Sequence, residues 1–168
     1  DLPEGRLFNP GHSIEVAWFL LHLLEFQPDA KARQVALDVV EGSLEVGWDR
    51  EFGGLYYFMD LDRKPTLQLE STMKLWWPHT EAMIALVFAA LETGEARWTK
   101  WLEKVVDYTW AHFPDREHGH WLGYLDREGR LSSACKGNNY KGFFHTPRAL
   151  MMCAQRIEAA ARKASPTP

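Results

Sequence analysis

Three histidines recur along the chain at a near-constant interval. His12, His79 and His145 lie 67 and 66 residues apart. Each stands beside a proline at the start of an apolar run, in "NPGHSIEVAWFLL", "KLWWPHTEAM" and "FFHTPRALMM". Imidazole is the commonest general acid/base because it titrates near neutral pH. A helix N-terminus disfavours its protonated form, so a histidine there tends to stay neutral and available as a base. One such histidine alone is ordinarily a cap or a core residue. The recurrence makes these three candidates for lining one cavity. Their neighbours add chemistry. Glu15 follows His12 by three residues on the same helix face, placed to orient that imidazole. Glu81 sits in a first turn, where the helix dipole favours a carboxylate. Arg148 also sits in a first turn, where a cation is disfavoured, and this mismatch predicts an anionic partner. Trp76 and Trp77 offer flat apolar faces for a sugar ring. Lys136 and Lys141, flanking "GNNY", are weaker candidates, since solvated lysines are the ordinary case.

Other chemistries fit less well. His112, His118 and His120 fall within nine residues but follow no zinc-protease spacing and have no cysteine partner, so no metal site is expected. A Glu15/Glu81 carboxylate pair of glycosidase type would leave the histidines without a task. There is no nucleophile-elbow motif and no phosphate-binding glycine loop.

The elements that must position these groups read as helices. From Ser13, apolar residues at Ile14, Ala17, Trp18, Leu21 and Leu24 mark one helical face. A second helix is predicted from about Asp29 to Val46, with Val35, Ala36, Val39 and Val40 inward. A third runs from near Pro78 to before Gly94. A fourth spans about Glu95 to His112 and carries Trp98, Trp101, Leu102, Val105 and Tyr108. A fifth has Thr146 as N-cap and Pro147 as first helical residue. It continues through Leu150, Met151, Ala154 and Ile157 to a frayed tail at 164–168. Between the helix pairs lie two similar loops, "WDREFGGLYYFMDLD" from Trp48 and "PDREHGHWLGYLDREG" from Pro114. Asp49 and Asp115 are again 66 residues apart, and each loop is suited to a short hairpin. A period near 66, holding two helices and one aromatic loop, marks an all-α array of stacked helix hairpins. A toroid of inner and outer helices is one closed solution. A small irregular bundle is the alternative.

Composition narrows the partners. The chain has 168 residues, 46% hydrophobic, so a packed core is expected and disorder is not. A net charge of −4 without a basic run argues against nucleic acid and anionic membrane. Two cysteines, Cys135 and Cys153, are too few for a disulfide framework, which points to a reducing, cytoplasmic setting. The chain opens at Asp1 in "DLPEGRLFNPG", which reads as a loop within a longer protein.

Taken together, "PGHSIEVAWFLL", "GGLYYF", "KLWWPHTEAMIA", "GYLDREG" and "KGFFHTPRAL" resemble the C-terminal part of the N-acylglucosamine 2-epimerase family, whose members include renin-binding proteins. The likeness runs in order over essentially the whole chain. It implies an (α/α)6 barrel, with residues 1–168 forming about its last two-fifths. It also implies interconversion of N-acetylglucosamine and N-acetylmannosamine by deprotonation and reprotonation at C2 of the open-chain sugar. His12 and His145 would be the acid/base pair, with Glu15 supporting His12. Glu81 would hydrogen-bond the sugar, Trp76 and Trp77 would stack on it, and His79 would complete the binding wall from behind. Arg148 would stabilise enediolate charge. No cofactor is consumed in such a reaction. ATP as an allosteric activator, a homodimer and an association with renin are further implications of the resemblance. An aldose–ketose isomerase would use nearly the same residues, and a non-catalytic, renin-binding interaction module is the alternative from another class. The chain departs from the family pattern at Asn138, Asn139 and Tyr140, which replace a Gly-Pro-Phe-like stretch, and at Phe143, where a cysteine is often found. These departures bear on substrate preference more than on reaction class.

Overall fold

The computed structural model describes residues 2–164. In chain order these form α1 (Pro3–Arg6), β1 (Leu7–Phe8), α2 (Pro10–Leu23), α3 (Ala30–Gly47), β2 (Met59–Asp60), β3 (Lys74–Leu75), α4 (Trp76–Thr93), α5 (Ala96–His112), β4 (Tyr124–Leu125), β5 (Leu131–Ser133) and α6 (His145–Ala164). Local chemistry sets the helix ends. Asn9 caps α2 by accepting from the His12 N–H at 2.9 Å, with Pro10 at the first helical position. Asp29 caps α3 through the N–H groups of Lys31 and Ala32. Gly94 ends α4 in the left-handed conformation, φ 68°, that glycine adopts without a side-chain clash.

Helices α2, α4 and α6 pack side by side, with α3 laid on α2 and α5 on α4. This is the alternation of inner and outer helices expected from the repeat. α4 is the centre of the molecule, and every residue from Trp76 to Ala89 is buried. Its burial on all sides follows from its apolar composition, as a helix that is hydrophobic all round must be enclosed.

Both aromatic loops close as the repeat predicts, each through a single antiparallel bridge: Trp48 with Leu55, and Pro114 with Trp121. In each, an aspartate ties the turn. Asp49 accepts from the N–H groups of Glu51 and Phe52, and Asp115 from those of Glu117 and His118. The first loop is anchored in the core. Lys74 is fully buried with its Nζ 3.0 Å from Asp49 Oδ2, and Arg127 reaches the same oxygen at 3.0 Å. Burial pushes Lys74 down to about 8, against the pull of Asp49. Burial works to raise Asp49, but the bonds from Lys74 and Arg127 win and hold it well below the usual carboxylate range. This pair fixes β3, which pairs antiparallel with β4 and sets Trp76 against Tyr124.

Several expected boundaries and faces shift. α2 and α4 begin at Pro10 and Trp76, ahead of the expected Ser13 and Pro78. α6 begins at His145, so Thr146 lies inside the helix rather than capping it. Ala149 and Cys153 point inward, while Leu150, Met151 and Ile157 are exposed. On α3 the inward residues are Ala36, Leu37, Val40 and Leu44, and Val35 and Val39 face out. Ala164 closes α6, and the rest of the expected frayed tail, 165–168, lies outside the described residues.

Candidate active site

The first turns of α2, α4 and α6 open on one cavity of about 750 Å³. α2 supplies His12 and Glu15, α4 supplies Trp76 and Trp77, and α6 supplies His145. The far wall comes from connecting segments and carries Tyr57, Glu70, Tyr124, Tyr140 and Phe144. Its walls are mostly aromatic, with a few converging polar groups, as small-molecule sites commonly are.

Trp77 separates the two histidines. Its ring centroid is 4.7 Å from that of His12 and 5.6 Å from that of His145. Such close approach needs Gly11, because a Cβ there would meet the Trp77 ring at 2.7 Å. His145 is held from behind. Its Nδ1 donates to Glu81 Oε1 at 2.7 Å, which leaves Nε2 as the nitrogen that can exchange a proton. Glu81 is fully buried, and its other oxygen accepts from Trp18 Nε1 at 2.8 Å. Arg148 Nη2 donates to Glu81 Oε1 and to Glu15 Oε1, both at 2.7 Å, and approaches His145 Nδ1 at 3.4 Å. Burial works against the charge on Arg148, but the two glutamates outweigh it and hold the guanidinium above its ordinary range.

Glu15, Glu81 and His145 also bring three metal-ligand atoms within 4.8 Å of one another. The Arg148 nitrogen stands among them within 3.4 Å of each residue. The cationic position of this cluster is thus taken by a side chain. The other histidine group is dispersed among separate partners. His112 bonds the Tyr108 carbonyl, His118 faces Asp115, and His120 faces Lys141.

The structure brings His12, Glu15, Trp76, Trp77 and His145 to the cavity as the sequence suggests, and it reassigns three expected contacts. His79 is fully buried away from the cavity. Its Nδ1 donates to the Leu75 carbonyl at 2.6 Å and its Nε2 accepts from the Leu55 N–H at 2.9 Å. Burial pushes it down to about 3, so it is a neutral structural residue that joins the first aromatic loop to α4. On α4 the cavity-facing positions are taken by Trp76 and Trp77, and His79, the fourth residue, points to the opposite side, whereas His145 is itself the first residue of α6. Glu81 lies behind His145 rather than on the cavity wall. Glu15 is on the wall and turns to Arg148 rather than to His12. The anionic partner predicted for Arg148 is this pair of carboxylates. Lys141 is buried over the Trp76 ring, with its Nζ donating to the Lys136 carbonyl, while Lys136 pairs with Asp115.

Sequence reasoning missed Trp18 as a site residue and took it only for core. Its place three residues after Glu15, on the face that carries the site, was the available signal. Tyr57, Tyr124 and Phe144 stand within stretches that carry the family resemblance, but nothing there marked them as site residues, and only the fold brings them together.

Comparison with known proteins gives a consistent result. Residues 1–149 match the family model described as N-acylglucosamine 2-epimerase (GlcNAc 2-epimerase). The N-acylglucosamine 2-epimerase of Mus musculus is 43% identical over 165 residues, covering 98% of this chain and 39% of that protein. The chain therefore spans about two-fifths of the length of the curated relatives it matches. Among solved structures, a D-mannose isomerase superposes with a TM-score of 0.79 at 25% identity, over 90% of this chain and 37% of that one. The cellobiose 2-epimerase of Spirochaeta thermophila superposes with a TM-score of 0.76 at 25% identity, over 92% and 39%. The described helices are accordingly a segment of an (α/α)6 barrel, with short β-hairpin loops between helix pairs.

Proposed function

The chain belongs to the N-acylglucosamine 2-epimerase family, and from that premise we propose that residues 1–168 supply one wall of a sugar 2-epimerase acting on the N-acetylglucosamine/N-acetylmannosamine pair. The observation that carries the reading is the arrangement of two imidazoles on either side of Trp77, one of them oriented by a buried carboxylate. The open-chain sugar has a carbonyl at C1, which makes its C2 proton removable. One histidine takes that proton as the electron pair moves to O1, leaving an enolate whose C2 carries the N-acyl nitrogen. The other histidine delivers a proton to the opposite face of C2, the charge returns from O1, and the configuration inverts. His12 and His145 exchange roles with reaction direction. At His145 the proton moves at Nε2 while Glu81 holds Nδ1 and the ring plane. Glu15, on the cavity wall, is placed to accept from a sugar hydroxyl or the N-acyl N–H. Trp76 and Trp77 face the sugar with apolar surface.

An aldose–ketose isomerase needs the same wall and differs in returning the proton to C1, and the similarity to a D-mannose isomerase structure keeps this reading second. The deciding experiment uses the whole protein with N-acetylmannosamine in deuterated water, followed by NMR, with and without ATP. Deuterium at C2 in both epimers, lost in His12→Ala and His145→Ala, is expected. A ketose formed from mannose in a parallel incubation, without epimerisation of N-acetylmannosamine, would move the assignment to isomerase, and absence of exchange on either sugar would overturn both. ATP as an unconsumed activator, a homodimer and an association with renin are proposals carried by the family resemblance, as is a cytoplasmic location. No helix among the described residues is long and apolar enough to cross a membrane.

A further inference from the structure

The carboxylates of Glu15 and Glu81, from helices α2 and α4, share one guanidinium nitrogen, and the imidazole that must trade protons stands beside it. We propose that Arg148 is a positioning residue that bridges Glu15 and Glu81 and so balances the charge around His145, letting that imidazole both take up and return the proton at C2. The inference rests on the two-histidine reading above. It departs from the idea that Arg148 stabilises the enediolate, because the guanidinium is committed to protein carboxylates and is not part of the cavity wall.

The charges facing His145 can be set out element by element. α2 contributes Glu15 and, across Trp77, His12. α4 contributes Glu81, with the uncharged rings of Trp76 and Trp77. α6 contributes Arg148 one turn on, and Cys153 further along, whose thiol burial pushes up to about 12 and keeps neutral. Tyr124 and Phe144 from the adjoining segments add aromatic surface. Two carboxylates and one guanidinium leave a single negative charge beside the imidazole. Without Arg148 there would be two, one in contact and one within 4.8 Å, largely out of water, where charge interactions are strong. The imidazolium would then be held too firmly to act as a base, and a residue that must work as both acid and base would be locked as an acid. Arg148 also stands 3.4 Å from Nδ1, where its own charge opposes protonation of the ring. Trp18 packs its ring under the guanidinium at 5.1 Å while bonding Glu81, so the bridge is held from two sides.

The test reads the imidazole itself and needs no turnover. In the whole protein, labelled at histidine and free of sugar, the His145 resonance is assigned by its loss in His145→Gln and titrated by NMR. Arg148→Gln should raise its midpoint by about one pH unit or more, Glu15→Gln should lower it, and the double variant should return toward wild type. Arg148→Lys should recover part of the shift. A midpoint unmoved by both single variants would overturn the proposal. So would a shift in the same direction for both. If Arg148→Gln fails to fold, Glu15→Gln decides alone by the sign of its shift. In the deuterium-exchange assay, Arg148→Gln should move the pH–rate profile upward by the same interval. Loss of exchange in the wild type would defeat the epimerase reading while leaving the titration result intact.

Discussion

His79 and His145 are the histidines of two His-Thr pairs at the same point of the sequence repeat, and the fold gives them opposite work. His145 opens α6, faces the cavity, and has one nitrogen held by Glu81 and the other free. His79 is the fourth residue of α4, faces away, and has both nitrogens bonded to backbone. Their surroundings differ in kind. Around His145 stand two carboxylates and a guanidinium, whereas His79 lies among Tyr108 and Phe113 with ring centroids 5.1 Å away. The contrast is one of availability: an imidazole with one nitrogen fixed by a charge and the other left exposed is free to exchange a proton. It becomes a structural strut when both are spent on the main chain in a dry site.

The largest expected effect separates the two outright. His145→Asn in the whole protein should lower kcat by about 10²–10⁴-fold, the usual contribution of a general acid/base, with little change in the denaturation midpoint. Kinetics and urea unfolding on one preparation would check both halves, and a large loss of stability with kcat retained would break the comparison. Second in size is His79→Ala. It strands the Leu55 N–H and the Leu75 carbonyl and opens a hole against Tyr108 and Phe113, so about 3 kcal/mol of stability should be lost. Turnover per folded molecule should stay within about threefold of wild type, since a strut makes no contact with the reacting atoms.

How far this contrast was legible in the sequence depends on what a repeat can encode. The period gave the helix pairs, the two aspartate-tied loops and the candidate histidines, because those are set by residue type and local spacing. It did not give the depth of a residue within its helix. Trp76 and Trp77 precede His79 in α4 and take the cavity side, and no cap signal marked Trp76 as the start. The role of Glu15 was read from nearness along the chain to His12, and that of Glu81, a bond to the sugar, came from the family resemblance. The actual partners are Arg148 and His145, 133 and 64 residues away. Long-range pairing of this kind depends on how α2, α4 and α6 pack, which no local pattern states.

The third effect is a pH dependence. His79 is held below its ordinary value, to about 3, because burial penalises its charged form. The unfolded chain then binds a proton that the folded chain does not, so His79 lowers stability as pH falls and has no effect well above 6.5. Its contribution should fall by about 1.4 kcal/mol for each pH unit between 6.5 and about 3. Carboxylates also titrate in this range, so the readout is the difference between wild type and His79→Gln, measured by urea unfolding at several pH values. Parallel curves for the two proteins would show that His79 is not the buried neutral group described here.

The smallest effect sharpens the comparison from the side of the site. Gly11 lets α2 approach Trp77 so closely that even a methyl group would collide with the indole at 2.7 Å. Gly11→Ala must therefore move the ring that spaces His12 from His145, by a few tenths of an ångström or more. Proton transfer depends steeply on that spacing, so kcat should fall by about tenfold, well short of the loss in His145→Asn. The Trp77 ring makes its histidine contacts with His12 and His145, so the acid-dependent stability assigned to His79 should persist unchanged in this variant. A pH–stability curve altered along with kcat would mean that α4 shifts as a body and that the two histidines are mechanically linked. A fall in kcat alone would establish that the cavity-facing end of α4 can be disturbed while its buried strut holds, which is the independence the contrast between the two histidines requires.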